Sequence, residues 1–164
     1  MDFIPARAGD HPLIYQILNS IFHGPSASEF QALLDDPFYE PGDRLLIKRN
    51  DRILSHVHVT KREVNFGSLQ VPIAGFMGLT TLPEQRGKGL ATALLAGAES
   101  KSVEDGAVLG ILRTPKPEFF EKRGWTICRN QVFTIGSPRD ILSHLQATAP
   151  PTNTLATQAC SPLN

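Results

Sequence analysis

The stretch from Val71 to Val103 constrains this chain more than any other part of it. Residues 71–82 form an apolar run that reads as one long buried strand, with Gly75 and Gly78 marking a bulge or a close backbone approach. Pro83 stops the run. Arg86-Gly87-Lys88-Gly89 then reads as a tight turn, and a helix begins near Gly89 and extends to about Val103. Leu90, Leu94, Leu95 and Ala98 form its apolar stripe, while Ala91, Ala93, Ala96 and Gly97 let it lie close to a sheet. The first N–H groups of a helix lack intrahelical partners, and the helix dipole makes that end positive. A strand-to-helix turn of this kind binds phosphate oxygens through its backbone. Gly87 and Gly89 tolerate positive φ and put no Cβ in a ligand's way, and Arg86 and Lys88 add positive charge.

The remaining elements can be placed around this unit. Phe3 to Ala6 suggests a short first strand. Asp10 reads as an N-cap with Pro12 in the first turn, followed by Leu13, Ile14, Ile17, Leu18, Ile21 and Phe22 at helical spacing. Ser26 and Glu29 have capping-box spacing before a second short helix carrying Phe30, Leu33 and Leu34. Leu45 to Ile47 and Ile53 to Thr60 are strands separated by the turn residues Asn50-Asp51. Alternation puts Ile53, Ser55, Val57 and Val59 on one face of the second of these, and Leu54, His56, His58 and Thr60 on the other. Val108 to Leu112 is a strand, Pro117 to Lys122 a short helix ended by Gly124, and Trp125 to Cys128 and Val132 to Ile135 are the final strands. Ser137-Pro138 opens a last helix with Ile141, Leu142 and Leu145. This order predicts an α/β (α+β) fold, a mixed sheet with helices on both faces. Residues 1–147 are expected to form a single domain, and residues 148–164 a polar, disordered tail.

Composition excludes several function classes. Lys plus Arg and Asp plus Glu are both 16, so the net charge is zero, which disfavours a nucleic-acid partner. Cys128 and Cys160 lie far apart, so neither a disulfide framework nor a zinc site is expected, and no metal is implied. No basic-then-apolar leader and no membrane-length apolar run is seen, so a cytoplasmic protein without a membrane partner is expected. The apolar last strands would suit a homodimer.

Three glycine-loop readings compete for the turn. A Walker loop requires Ser or Thr after the lysine, and Lys88 is followed by Gly89. A dinucleotide fingerprint requires a third glycine where Thr92 stands, and the chain is too short for two nucleotide-binding halves. The third reading fits throughout: Pro83-Glu84-Gln85-Arg86-Gly87-Lys88-Gly89-Leu90-Ala91 closely resembles the acetyl-coenzyme A (acetyl-CoA) signature of the GNAT superfamily of N-acetyltransferases, with Arg86, Gly89 and Ala91 at its fixed positions. Downstream, Glu118-Phe119-Phe120-Glu121-Lys122-Arg123-Gly124-Trp125 is similar to that family's "Phe-Tyr-x-Lys-x-Gly-Phe" segment. Val71-Pro72-Ile73-Ala74-Gly75 also resembles acetyltransferases of the enhanced-intracellular-survival type, which are longer and carry further domains.

The resemblance implies a mostly antiparallel central sheet that splays open beside the signature. It implies that acetyl-CoA is the co-substrate and that a primary amine of a small molecule or peptide attacks its thioester directly. Carried over, Leu79, Thr80 and Thr81 would pair with the pantetheine arm through main-chain groups. The backbone of Arg86, Gly87, Lys88, Gly89, Leu90 and Ala91 would hold the pyrophosphate. An N–H near Thr80 or Thr81 would polarise the thioester carbonyl. Phe120 occupies the place where the family often has a tyrosine that protonates the departing thiolate, so here it is read as core and one wall of the coenzyme groove. A general base is also required. His56 and His58 titrate in a suitable range, although histidines at i and i+2 on a strand also read as partly exposed surface residues. Glu63, Glu84 and Glu118 are further candidates, and Cys128 reads as a small buried hydrophobe. Phe120 keeps a second reading open, a catalytically weak CoA-binding regulatory module.

Overall fold

The computed structural model describes residues 2–128. Its contacts fall into two compact units, one ending at Pro115 and one starting at Lys116. The first unit is organised by a long hairpin. β3 (Arg52–Phe66) and β4 (Leu69–Thr81) pair antiparallel from Phe66↔Leu69 to Ser55↔Thr81, turning at Gly67, whose φ is +63°. β2 (Arg44–Arg49) pairs antiparallel with β3, and β1 (Ile4–Pro5) with β2. β5 (Leu109–Leu112) pairs parallel with β4, so among the described residues the sheet runs β1-β2-β3-β4-β5 and only the β4–β5 ladder is parallel.

Helices cover both faces. α1 (His11–Phe22) and α2 (Ala27–Leu34) lie on one side, where Ile14, Ile17, Leu18 and Phe30 pack with Leu46 and Ile53. α3 (Leu90–Glu104) lies on the other, against β2, β3 and β4, burying Leu90, Leu94, Leu95 and Ala98. Ring atoms of Phe3 sit where a Cβ on Gly97 would be, which is why that turn of α3 carries no side chain. With both faces covered, β3 is buried continuously from Ile53 to Val59.

Strict alternation along β3 fails at one residue. A bulge places Ile53 opposite Lys48 and Ser55 opposite Ile47, leaving Leu54 as the extra residue. Ile53 therefore joins the face of Leu46, His56 and His58 rather than that of Val57. At the start of α1, Asp10 stands at the N-cap but does not cap with its side chain. Its carboxylate instead accepts from Lys48 Nζ at 2.6 Å and from Arg7 N at 2.9 Å. Ser26 and Glu29 do form the reciprocal capping box of α2.

The second unit begins with α4 (Pro117–Glu121), and Gly124 follows with φ +88°. Phe120 packs edge-to-face on Phe119 and Trp125 at centroid distances of 5.0 and 6.0 Å. Residues Trp125 to Cys128, expected as a strand, form none, because they have no ladder partner among the described residues. Cys128 is exposed rather than a buried hydrophobe. The expected strand Val132–Ile135, the last helix and the tail 148–164 lie outside the described residues.

Candidate active site

The site is built from β4, the turn after it and the start of α3. The β4–β5 ladder runs only from Ile73↔Leu109 to Phe76↔Leu112. Beyond it, from Met77 to Thr81, the outer edge of β4 has no strand partner among the described residues. On the inner side the register with β3 jumps from His58↔Met77 to His56↔Thr80. Gly78 and Leu79 thus both oppose Val57, which makes a bulge and turns local backbone groups out of the ladder. Gly78 has φ +59°, a conformation that costs little only for glycine. A Cβ there would also lie 3.2 Å from Leu18 Cδ2 and 3.4 Å from His56 Cε1.

After Thr81 the chain makes one 3-10 turn, Pro83–Gln85, and enters the glycine turn. Gly87 and Gly89 both have φ +77°, and a Cβ at either would meet nothing within 4 Å. The space a side chain would take at either glycine is therefore open. Gly89 is the N-cap of α3 and offers no side-chain cap to the first-turn N–H groups. Two cations are tied back onto this loop: Arg86 Nε donates to Thr81 O at 3.3 Å, and Lys88 Nζ to Gln85 Oε1 at 2.9 Å. Glu84 is engaged by Arg52 and faces solvent. The residues therefore fit a pyrophosphate at the turn and an extended chain along β4.

Behind the bulge, on the α1–α2 face, lies a buried polar cluster. Arg44 is 2% exposed, and among the described residues no carboxylate lies within ion-pair distance of it. Its Nε donates to Tyr39 Oη at 3.0 Å and its Nη1 to His56 Nε2 at 3.2 Å, while Nη2 is buried without a partner. The rings of Phe30 and Tyr39 lie 5.3 and 5.4 Å from its guanidinium carbon. Burial lowers the Arg44 pKa from the ordinary guanidinium value, opposed by Tyr39. His11 Nε2 and Tyr39 Oη are 2.8 Å apart.

His56 is wholly buried, with Nδ1 2.9 Å from Gly78 O. A guanidinium only donates, so His56 Nε2 must accept and Nδ1 must carry the proton that is donated to Gly78 O. Both ring nitrogens are committed. Burial, with the charge of Arg44 adding to it, depresses the His56 pKa to about 3 against the opposing bond to Gly78. His58, 5% exposed, is likewise brought to about 3, by burial first and then by Arg44, His56 and Arg62. His58 meets the Tyr39 ring edge-on at 5.7 Å and makes no hydrogen bond with another described residue.

Comparison with known proteins decides the family. The model of the acetyltransferase (GNAT) domain matches residues 2–128. The chain belongs to the GNAT acetyltransferase family. Its fold is shared by a GCN5-related N-acetyltransferase from Kribbella flavida, at 19% identity and TM-score 0.67, over 75% of this chain and 32% of that one. It is shared by an acetyltransferase from Trypanosoma brucei, at 18% identity and TM-score 0.64, over 82% of this chain and 98% of that one. It is also shared by an aminoglycoside N-acetyltransferase solved in complex with CoA, at 13% identity and TM-score 0.63, covering 83% and 94%. This chain thus spans about a third of the Kribbella protein and nearly all of the Trypanosoma one. No curated protein matches.

In this GNAT domain, Leu79, Thr80 and Thr81 fall on the stretch of β4 whose outer edge has no strand partner among the described residues, and residues 86–91 on the turn and first helical residues beside it. The bulge is at Gly78–Leu79, just before the threonines. Thr80 and Thr81 instead pair with His56 and Ser55, and Ser55 Oγ donates to Thr80 O at 2.6 Å. His56 and His58 share one face as alternation predicts, but both are buried. Phe120 packs within its own unit. Arg44 and Tyr39 were not visible as site residues. Arg44 opens an apolar run and so reads as a charge at a strand end; only its alternation with Leu46, on the histidine face, gives it away. Among the described residues no helix is long and apolar enough to cross a membrane, and no group of three or more His, Cys, Asp or Glu is placed to hold a metal ion.

Proposed function

We propose that this domain transfers the acetyl group of acetyl-CoA to the primary amine of a small molecule or peptide by direct attack. The observation that carries the reading is the juxtaposition of an unpaired β4 edge, Met77 to Thr81, with an open two-glycine turn at the start of α3. Main-chain groups of Leu79, Thr80 and Thr81 would hold the pantetheine arm. The backbone from Arg86 to Ala91 would hold the pyrophosphate. The bulge N–H of Leu79 is assigned as the donor to the thioester oxygen, where negative charge develops as the amine nitrogen bonds to the carbonyl carbon. The C–S bond then breaks, and a thiol pKa near ~8.5 makes the thiolate a tolerable leaving group without a tyrosine at position 120. His58 is assigned to take the proton lost by the amine, since both nitrogens of His56 are already bonded.

Calorimetric titration with acetyl-CoA, alongside a Gly89→Trp variant, tests the reading. Binding in the micromolar range that the variant loses is the expected result. A folded wild type that binds no acetyl-CoA would refute it. Phe120 and the low basicity of His58 favour a second reading, a CoA-binding regulatory module. Binding without turnover across a broad amine panel would select it.

A further inference from the structure

A chain of polar contacts joins four segments of the first unit and ends on the bulge. From Tyr39, in the connection before β2, it runs through Arg44 on β2 and His56 on β3 to Gly78 O on β4, with steps of 3.0, 3.2 and 2.9 Å. Its two ends agree on direction: Arg44 can only donate to His56 Nε2, and Gly78 O can only accept from Nδ1. Because the guanidinium only donates, His56 has a single neutral arrangement compatible with its two neighbours, the Nδ1–H tautomer. That proton meets a carbonyl at the bulge, where the ladder is interrupted and a part-buried oxygen takes its donor from a side chain. Orienting one carbonyl fixes the peptide plane it belongs to, and the other end of the Gly78–Leu79 peptide plane is the Leu79 N–H. Burial of an arginine at 2% exposure, with no carboxylate in ion-pair distance among the described residues and with Nη2 unpartnered, is a costly way merely to fill a core. A methionine or leucine would pack there without that cost.

We propose that Arg44 and His56 are a positioning pair for acyl transfer: Arg44 locks His56 as its Nδ1–H tautomer, and His56 pins the Gly78 carbonyl so that the Leu79 N–H points at the thioester oxygen. The pair acts through the backbone and touches no substrate. The inference rests on the proposed transfer reaction for its consequence, but its geometry is open to a measurement that needs no turnover.

The test combines nitrogen NMR of the imidazoles with steady-state kinetics on the full chain. In ¹⁵N-labelled wild type at pH 7, His56 should show a protonated Nδ1 and a bare Nε2. In Arg44→Met the bare Nε2 loses its donor, so its resonance should shift and the Nδ1–H form, now held only by Gly78 O, should be less completely populated. His56→Leu, which removes the donor, should lower kcat by about tenfold or more, with the KM for acetyl-CoA within about twofold. His56→Asn, whose amide nitrogen falls near the place of Nδ1, should recover most of that loss, which a merely space-filling role would not produce. A wild-type His56 in the Nε2–H form overturns the proposal, as does an unchanged spectrum in Arg44→Met. Equal kcat losses in the Asn and Leu variants, both verified as folded, overturn it too. If the wild type binds acetyl-CoA but acetylates no amine in the panel, the transfer reading fails by itself, and the nitrogen spectra still decide the tautomer lock.

Discussion

At the scale of single residues, the histidines carry the sharpest consequence. Their chemistry was legible in the sequence, which put them on one strand face, but their burial was not, because it depends on α1, α2 and Tyr39 closing over that face. His56 and His58 have native pKa values near 3, below the ~6.5 of an unfolded histidine. The unfolded chain therefore binds more protons than the native one between those values, so stability rises with pH through that window and is complete above it. It is lost as pH falls from about 6.5 toward 3. Between pH 7.5 and 5, where carboxylates remain ionised, each histidine should cost about 2 kcal/mol. Urea unfolding at several pH values checks this, and His58→Gln should remove roughly half of the loss. Equal sensitivity in wild type and variant would mean that His58 is protonated in the native protein.

At the scale of elements, local signals were read correctly where they are self-contained. The Ser26–Glu29 capping box, the Asn50-Asp51 turn and the glycine turn before α3 each depend on a few adjacent residues. Signals that need a neighbouring strand were missed or displaced. The Leu54 bulge, which moves Ile53 across the sheet, arises from pairing with β2 and has no glycine or proline to announce it. The absence of a strand at 125–128 is of the same kind, since an apolar run without a ladder partner stays irregular. Gly78 is the intermediate case: its position suggested a bulge, while only the β3 register shows which residues it displaces. Gly78→Ala puts a Cβ at φ +59° and into contact with Leu18 and His56. The expected loss of stability is about 1–2 kcal/mol, from left-handed strain and local overpacking. A urea midpoint unchanged from wild type would mean that β4 can relax its bulge, and the strand would not be the rigid support described above.

For the molecule as a whole, the fold class followed from element order, and the candidate site joins two openings, of which the glycine turn was announced by its motif and the free strand edge depends on the sheet. The outer edge of β4 lacks a strand partner beyond Phe76 among the described residues, and nothing lies within 4 Å of where a Cβ would stand at Gly87 or Gly89. Filling both places with one ligand would tie β4, the turn and α3 together, and these pack on the same sheet. A ligand that binds only the native state stabilises it by about 2.7 kcal/mol at a hundred times its Kd. For a chain of this size that corresponds to an increase in Tm of roughly 5–10 °C. Acetyl-CoA should produce this shift. S-acetylpantetheine, which can occupy the β4 edge but has no pyrophosphate for the turn, should give less than half of it at the same concentration. Equal shifts from the two would place the binding energy on β4 alone and leave the Arg86–Ala91 turn as a structural connection. No shift from S-acetylpantetheine beside a full one from acetyl-CoA would make the turn the anchor, and the open strand edge the place where the arm is positioned rather than held.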